Sequence, residues 1–160
     1  MALYYRIMSE AYHHDPWSSG GRAGRWNHDG VRMIYLASTP SLAMLEYITI
    51  KGNVVGKNTW FMITFEIIEE RLIDELEAES LPDEWNLIPH PFSTRQLGSG
   101  WIKDSDSFFL KVPSARIPLE YYNVEHNLLV NVGHPDLKSA LRFRNETYFS
   151  YRLGMRQTAV

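Results

Sequence analysis

Residues 20–30 combine residue types that could hold an anion beside a flat ring. The segment reads GGRAGRWNHDG and contains four glycines. Glycine permits positive φ and a close approach of the backbone to a ligand, because it has no Cβ. Arg25 offers a fork of donors that suits phosphate, and Trp26 offers a flat face for stacking. An ordinary glycine-rich surface loop is the competing interpretation, because the spacing is not the dinucleotide fingerprint GxGxxG.

Glu46 is the carboxylate that could do chemistry near this loop. It lies in the apolar helical stretch STPSLAMLEYITIKG. A buried glutamate is rare unless paired, so Glu46 is either exposed to solvent or held at the edge of the core beside a cleft. Tyr35, in the preceding run MIYLA, is either a core residue or an aromatic wall of that cleft. A carboxylate beside an aromatic face suits cleavage of a glycosidic bond to a cationic leaving ring, which passes through an oxocarbenium-like transition state.

The rest of the chain gives no further catalytic pattern. The six histidines form no HExxH motif and no i, i+4 pair, so no metal site is expected. A GxSxG nucleophile elbow is also missing from the sequence.

Length and composition favour one globular domain, which we expect to span residues 1–160. The 160 residues are 44% hydrophobic and 22% charged, and there is no cysteine, which excludes disulfides and thiolate zinc sites. No stretch is long and apolar enough for a membrane span, and MALYYRIMSEAYHHDP does not read as a signal peptide. These features predict a cytoplasmic protein with no membrane role.

The net charge of −3 conceals one acidic segment. Residues 66–84 carry nine acidic residues and one basic residue, which leaves ten acidic against fifteen basic residues elsewhere. A mildly positive body could attract a negatively charged small molecule into a cleft. It lacks the dense basic stripe of a protein that binds nucleic acid directly. The acidic segment is typical of a solvated face, and docking of a basic partner is the alternative.

Short strands and helices follow one another without strict βαβ alternation, which predicts an α+β fold. The helix containing Glu46 has clear limits, because Ser38 or Thr39 can cap it, Pro40 suits its first turn and Gly52 its end. A second, short helix is predicted to begin at Ser93 in STRQLGSGWIKD. Strands are predicted over 3–8, 33–37, 60–67, 107–112, 128–132 and 147–153.

Several segments together resemble the RES-domain family, the toxins of bacterial Xre–RES toxin–antitoxin pairs. The ordered set is specific, although AGRWN or LLVN alone would be weak. The matching segments are YRI at 5–7, AGRWN at 23–27, IYLASTPSLAMLE at 34–46, STRQLGSGWI at 93–102, KVPSARIP at 111–118 and HNLLVNVGHP at 126–135.

This resemblance implies an ADP-ribosyltransferase-like mixed sheet with short helices and a toxin that degrades NAD. NAD would be a substrate, split from nicotinamide by phosphate or water, and no bound cofactor is implied. By the resemblance, Arg25 would grip the pyrophosphate, Tyr35 would stack near nicotinamide and Glu46 would stabilise the ribosyl cation. Ser114 completes the catalytic set, and the substrate-binding residues implied are Arg6, Trp26, Asn27 and Asn127.

Two other functions are compatible with the same residues. ADP-ribose could be transferred to a protein, because the acceptor enters after the shared cleavage of the glycosidic bond. Alternatively, the chain could be a nucleotide-binding module that has lost catalysis. For the toxin, the resemblance implies a cognate Xre-type DNA-binding antitoxin as partner and a homodimer within the toxin–antitoxin complex.

Overall fold

The computed structural model describes residues 1–154, apart from the side chain of Arg71. Residues 155–160 of the expected domain lie outside the described part. Three α-helices are found in the described chain: α1 (Pro40–Lys51), α2 (Phe92–Asp104) and α3 (Leu137–Ala140). The strands are β1 (Ala2–Ser9), β2 (Ile34–Ala37), β3 (Thr59–Ile67), β4 (Ile73–Glu75), β5 (Phe109–Val112), β6 (Asn127–Val130) and β7 (Leu141–Ser150).

The seven strands form one mixed sheet in the order β4-β5-β6-β2-β1-β3-β7. The β4–β5 pair is parallel, and the other neighbours are antiparallel. The prediction of an α+β fold with a mixed sheet is therefore confirmed.

The side chains of β2 alternate between the two faces of this sheet, as the period-2 geometry of a strand requires. Ile34 and Leu36 of β2 belong to one core cluster, whereas Ala37 packs with the apolar residues of α1 and Tyr35 with those around α2. The predicted orientation of Tyr35, away from Ile34 and Leu36, is confirmed. The face that carries Tyr35 is the one on which the candidate site lies.

Helix α1 has the limits predicted from its sequence. The Thr39 hydroxyl accepts a hydrogen bond from the backbone N–H of Leu42 at 3.0 Å, Pro40 occupies the first helical position, and Gly52 ends the helix with φ of 60°. Leu42 is buried against the sheet, whereas Leu45 is exposed. The apolar side of α1 is thus narrower than its sequence indicates, and Glu46 lies on its edge.

Five predicted strands are confirmed to within two residues, two local predictions are corrected and one strand was missed. Strand β7 begins at Leu141 rather than 147, because it pairs with the whole of β3. Strand β4 was not predicted. Helix α2 begins at Phe92 with Pro91 at its cap, and the Ser93 hydroxyl donates to Glu84 instead of capping the helix.

The acidic segment 66–84 does not form one solvated face. Glu66 is only 5% exposed and lies beside Arg142 and Arg144 of the neighbouring strand β7. Asp74 accepts hydrogen bonds from the Trp101 indole and the Ser105 hydroxyl, both at 2.9 Å. Sheet formation therefore spreads these carboxylates over separate partners.

Candidate active site

Strand register brings three distant polar residues together around Glu46. Asn127, at the start of β6, pairs with Ala37 at the end of β2 and with Val112 at the end of β5. Helix α1 follows β2 and carries Glu46, and Ser114 follows β5 by two residues. The pairing of the three strand ends therefore sets Glu46, Ser114 and Asn127 side by side.

Both oxygens of the Glu46 carboxylate are hydrogen-bonded. The Ser114 hydroxyl donates to Oε1 at 2.7 Å, and the Asn127 amide donates to Oε2 at 2.9 Å. Burial raises the pKa of Glu46, while these two hydrogen bonds and the nearby charges of Arg116 and Arg25 oppose that rise. Glu46 is thus a carboxylate of fixed orientation in a partly desolvated position, not a mobile surface group.

Arg25 points inward rather than into solvent. It is 8% exposed, and its Nη1 donates to the carbonyl oxygens of Trp85 and Leu87 at 2.5 and 3.1 Å. Its Nη2 is buried and has no hydrogen-bond partner among the described residues. Burial lowers its pKa, and the charge of Arg116 lowers it further. A buried guanidinium with a free donor is costly unless an acceptor binds nearby, so the solvated-connector interpretation of this arginine does not hold.

The glycine-rich loop is built around Tyr35 and Asn27. The Tyr35 hydroxyl donates to Asn27 Oδ1 at 2.5 Å and accepts the backbone N–H of Trp26 at 3.0 Å. The Asn27 amide nitrogen donates to the carbonyl oxygens of Arg22, His28 and Val31. Asn27, expected to bind substrate, therefore uses its side chain to hold the loop.

Two glycines permit close packing between protein segments, and Gly24 also lines the first cavity. A Cβ on Gly24 would lie 2.7 Å from the Tyr35 hydroxyl oxygen, and a Cβ on Gly98 would lie 1.9 Å from the carbonyl oxygen of Trp26. Trp26 itself is 1% exposed and packs in the core under α2. Trp26 is one of the residues that line the first cavity, but its indole belongs to the core and is not the open stacking face that was expected.

A cavity of about 240 Å³ contains the charged groups described above. Arg25, Tyr35 and Glu46 all line it, and Ser114 is adjacent through its bond to Glu46. The other lining residues include Arg116, His90, Ile50 and Asn127. The cavity thus unites the arginine, tyrosine and carboxylate that the sequence set 10 and 11 residues apart.

A second cavity of about 200 Å³ adjoins the first and shares Tyr35, Glu46 and Ile50 with it. Arg6 of β1 lines this second space, and its Nη1 donates to the carbonyl oxygens of Pro16 and Ser18 at 3.1 and 2.9 Å. Burial lowers the pKa of Arg6 to about 10. Arg25 therefore lines the first space and Arg6 the second, and Glu46 lines both and marks their junction.

Sequence reasoning gave no role to two residues of the first cavity, His90 and Arg116. Burial lowers the pKa of His90, and the positive charges of Arg25, Arg95 and Arg116 lower it further, so the neutral imidazole is favoured. The signal that could have indicated Arg116 is its position in KVPSARIP, two residues beyond Ser114. Nothing local in the sequence indicates the placement of His90.

Groups of three or more residues suited to holding a metal ion are not found in the described part of the chain. None of its helices is long and apolar enough to cross a membrane.

The family model described as "RES domain" matches residues 3–152. The chain belongs to the RES-domain family. It is 34% identical to "Toxin Res" of Yersinia enterocolitica over 142 residues, which cover 87% of this chain and 90% of the relative. It is 32% identical to the "Prs ADP-ribosylating toxin" of a Sphingobium species over 142 residues, which cover 84% of this chain and 85% of that protein.

The fold of this RES domain also resembles a solved structure. A chain of the M. tuberculosis MbcT–MbcA toxin–antitoxin complex superposes with a TM-score of 0.67 over 93% of this chain and 84% of that chain. The two sequences are only 16% identical, so this likeness is one of fold. The predicted fold class and family are therefore both confirmed.

Proposed function

We propose that this RES-domain protein is a toxin that degrades NAD by cleaving the bond between nicotinamide and ribose. The observation that carries the proposal is the position of Glu46. Its carboxylate is held by two hydrogen bonds at the junction of two adjoining cavities, each of which contains an arginine. A dinucleotide has two halves joined by a diphosphate, so it suits paired spaces with cationic walls better than a single compact metabolite does.

Glu46 would act on the positive charge that develops at the ribose carbon. As the C1′–N bond breaks, its electron pair passes to the pyridinium nitrogen and releases neutral nicotinamide. The remaining oxocarbenium-like ribose is stabilised by a nearby carboxylate, directly or through a ribose hydroxyl. Because Ser114 and Asn127 already orient both carboxylate oxygens, little reorganisation is needed when this charge appears.

The acceptor completes the reaction by forming a bond to C1′. Attack by a phosphate oxygen yields ADP-ribose 1″-phosphate, whereas attack by water yields ADP-ribose and releases a proton. Arg25, with one donor unpaired, would bind a phosphate group of the substrate. Tyr35 would supply the wall beside the nicotinamide, since its ring lines both cavities while its hydroxyl is engaged with the loop.

Transfer of ADP-ribose to a protein is the second candidate reaction. The observation in its favour is the 32% identity with a relative that is named as an ADP-ribosylating toxin. Both reactions share the cleavage step at Glu46 and differ only in the acceptor. An inactive nucleotide-binding module is less consistent with a carboxylate whose two oxygens are both oriented by hydrogen bonds.

We further propose that an Xre-type DNA-binding antitoxin covers the mouth of the cavity, with the toxin as a homodimer in a cytoplasmic complex. Ile50 and Ile88 are each 68% exposed and Phe92 is 72% exposed, next to residues that line or support the cavity. An exposed apolar rim of this kind is typical of a protein-binding surface. Residues 1–160 would form one RES domain in that complex.

The decisive experiment compares Glu46→Gln with wild type. Purified protein is incubated with labelled NAD, with and without inorganic phosphate, and products are identified by chromatography. Loss of the carboxylate charge should lower NAD turnover by about 10²–10³-fold, a magnitude typical of removing one transition-state stabiliser. Soluble ADP-ribose or its 1″-phosphate supports degradation, whereas label on protein supports ADP-ribosylation.

Glu79→Gln is the matched control, because Glu79 is exposed and lies in the acidic segment away from the cavity. It should consume NAD at the wild-type rate. In a bacterial host without antitoxin, wild type and Glu79→Gln should arrest growth and Glu46→Gln should not. Wild-type turnover by folded Glu46→Gln would refute the mechanism.

A further inference from the structure

Arg116 is a charged side chain in the first cavity whose guanidinium has no bonding partner. It is half-buried and lines the cavity with Arg25 and Glu46. Its backbone N–H donates to the Ser114 hydroxyl at 3.2 Å, but within residues 1–154 its guanidinium forms no hydrogen bond and no ion pair. An arginine held in a cavity in this way has unused donors.

The neighbouring arginines differ from Arg116 in this respect. Arg6 donates to two carbonyl oxygens of the loop after β1, and Nε of Arg95 donates to the carbonyl oxygen of Gly24 at 3.1 Å. Arg25 uses Nη1 in the same way and leaves only Nη2 unpaired. The other three arginines therefore bind backbone carbonyl oxygens of the protein, whereas the guanidinium of Arg116 makes no such contact.

The net positive charge of the cavity also favours the binding of an anion. Arg25 and Arg116 bring two positive charges, against one carboxylate at Glu46 whose two oxygens already accept hydrogen bonds from Ser114 and Asn127. The charges of Arg25 and Arg116 disfavour each other, and the effect of Arg116 on the pKa of Arg25 has this sign. An oxyanion that bound between the two arginines would relieve this repulsion.

We infer that Arg116 is the contact residue of an oxyanion subsite that binds a phosphate group, with Arg25 as the second positive charge. The planar guanidinium can donate two parallel hydrogen bonds to phosphate, which a lysine cannot reproduce. The inference rests on the proposed function for its role in catalysis, but the binding site itself is independent of turnover. The phosphate group has two sources: the diphosphate of NAD, or free inorganic phosphate acting as the acceptor.

Arg116 has a specific use if free phosphate is the occupant. Phosphate must approach the ribose carbon that Glu46 also faces, and two anions repel each other at that distance. Of the charges that lower the pKa of Glu46, Arg116 is the largest contributor. It is therefore the residue best placed to offset this repulsion while a phosphate oxygen forms its bond to C1′ and the C1′–N electron pair leaves with nicotinamide.

Binding is tested with inorganic phosphate and inorganic pyrophosphate as probes, by isothermal titration calorimetry on the full chain. Arg116→Gln should weaken binding of at least one probe by about tenfold or more, the typical effect of losing a charge-assisted hydrogen bond. Arg116→Lys should retain part of the affinity. Arg22→Gln, which removes an exposed arginine three residues before Arg25, is the charge-matched control and should bind as wild type does.

Kinetics distinguish the two sources. A rise in the KM for phosphate, with unchanged KM for NAD, assigns the subsite to the acceptor. A rise in the KM for NAD, in phosphate-free buffer as well, assigns it to the diphosphate. Equal binding of both probes by wild type and folded Arg116→Gln, or no binding to wild type, overturns the inference. If wild type binds a probe but does not consume NAD, the proposed function fails and the subsite stands.

Discussion

Replacement of Ser114 by alanine tests whether the hydrogen bonds at Glu46 set its ionisation. The Ser114 hydroxyl donates to Oε1 at 2.7 Å. A hydrogen bond to an ionised group contributes about 1.5–3 kcal/mol and one to a neutral group about 0.5–1.5 kcal/mol, so the carboxylate loses roughly 1–2 kcal/mol more than the carboxylic acid. Since one pKa unit corresponds to about 1.4 kcal/mol, Ser114→Ala should raise the pKa of Glu46 by roughly one unit.

The assay is the pH dependence of kcat/KM for NAD, combined with NMR titration of the ¹³C-labelled Glu46 carboxyl group. We expect the acid limb of the profile to move to higher pH by about one unit, because catalysis needs the ionised carboxylate. The NMR midpoint should move by the same amount. This second readout reports on Glu46 even if NAD is not the substrate.

Ser114→Ala should also change how folding stability depends on pH. Burial raises the pKa of Glu46 above its ordinary value, so the stability that its protonated form contributes is present in acid and is lost as pH rises through the folded-state pKa. Ser114→Ala raises that pKa further. The variant should therefore be destabilised more at neutral pH than in acid, as measured by denaturant unfolding.

Ser105→Ala is the matched control for this prediction. The Ser105 hydroxyl donates to a carboxylate oxygen of Asp74 at 2.9 Å and accepts the backbone N–H of Ser107, two residues on. Ser114 makes the same pair of contacts with Glu46 and Arg116. Ser105→Ala should leave the acid limb unchanged. Coincident titrations of Glu46 in wild type and Ser114→Ala would refute the reasoning.

Three further predictions concern packing and burial. Gly98→Ala should destabilise the fold by about 1–3 kcal/mol in chemical denaturation, because its Cβ would lie 1.9 Å from the Trp26 carbonyl oxygen. In Gly100→Ala the new Cβ would have no atom within 4 Å, so this variant should stabilise α2 by up to about 1 kcal/mol. Tyr35→Phe should lower the free energy of unfolding by about 1–3 kcal/mol, because it removes the hydroxyl that bonds the loop. Glu46→Gln should raise the melting temperature at neutral pH, because it relieves a partly desolvated carboxylate whose pKa is raised.

A specific result would contradict each of these three predictions. Equal stability of Gly98→Ala and Gly100→Ala would mean that α2 does not press against the loop backbone. A Tyr35→Phe variant as stable as wild type would show that the hydroxyl is dispensable for the loop. A lower melting temperature for Glu46→Gln at neutral pH, with no such loss in acid, would reverse the sign assigned to burial.

Elements with strong local signals were predictable from the sequence. Thr39, Pro40 and Gly52 define the limits of α1 because capping, first-turn and terminating preferences act within a few residues. The alternation in MIYLA predicted that Tyr35 faces away from Ile34 and Leu36, because strand geometry has a period of two. Strand β4 escaped prediction because it is only three residues long and is defined by pairing with β5, 36 residues further on.

The candidate site was only partly accessible in this way. Arg25, Tyr35 and Glu46 attracted attention through their chemistry, whereas Ser114 and Asn127 entered through the family resemblance. The sequence did not reveal that Trp26 is a residue of the hydrophobic core. A tryptophan in a glycine-rich loop has the same local pattern whether its ring faces solvent or is packed beneath a helix, and α2 lies more than 60 residues away.

The sequence by itself determined the residue types that can do this chemistry, the limits of the helix that carries Glu46, and the family. Only the tertiary structure decided the environment of that carboxylate. Asn127 and Ser114 lie 81 and 68 residues from Glu46, and the pairing of β2, β5 and β6 brings them to its two oxygens. Burial and hydrogen bonding depend on such long-range contacts, so the ionisation of Glu46 and the unpaired charge of Arg116 follow from the fold and not from local pattern.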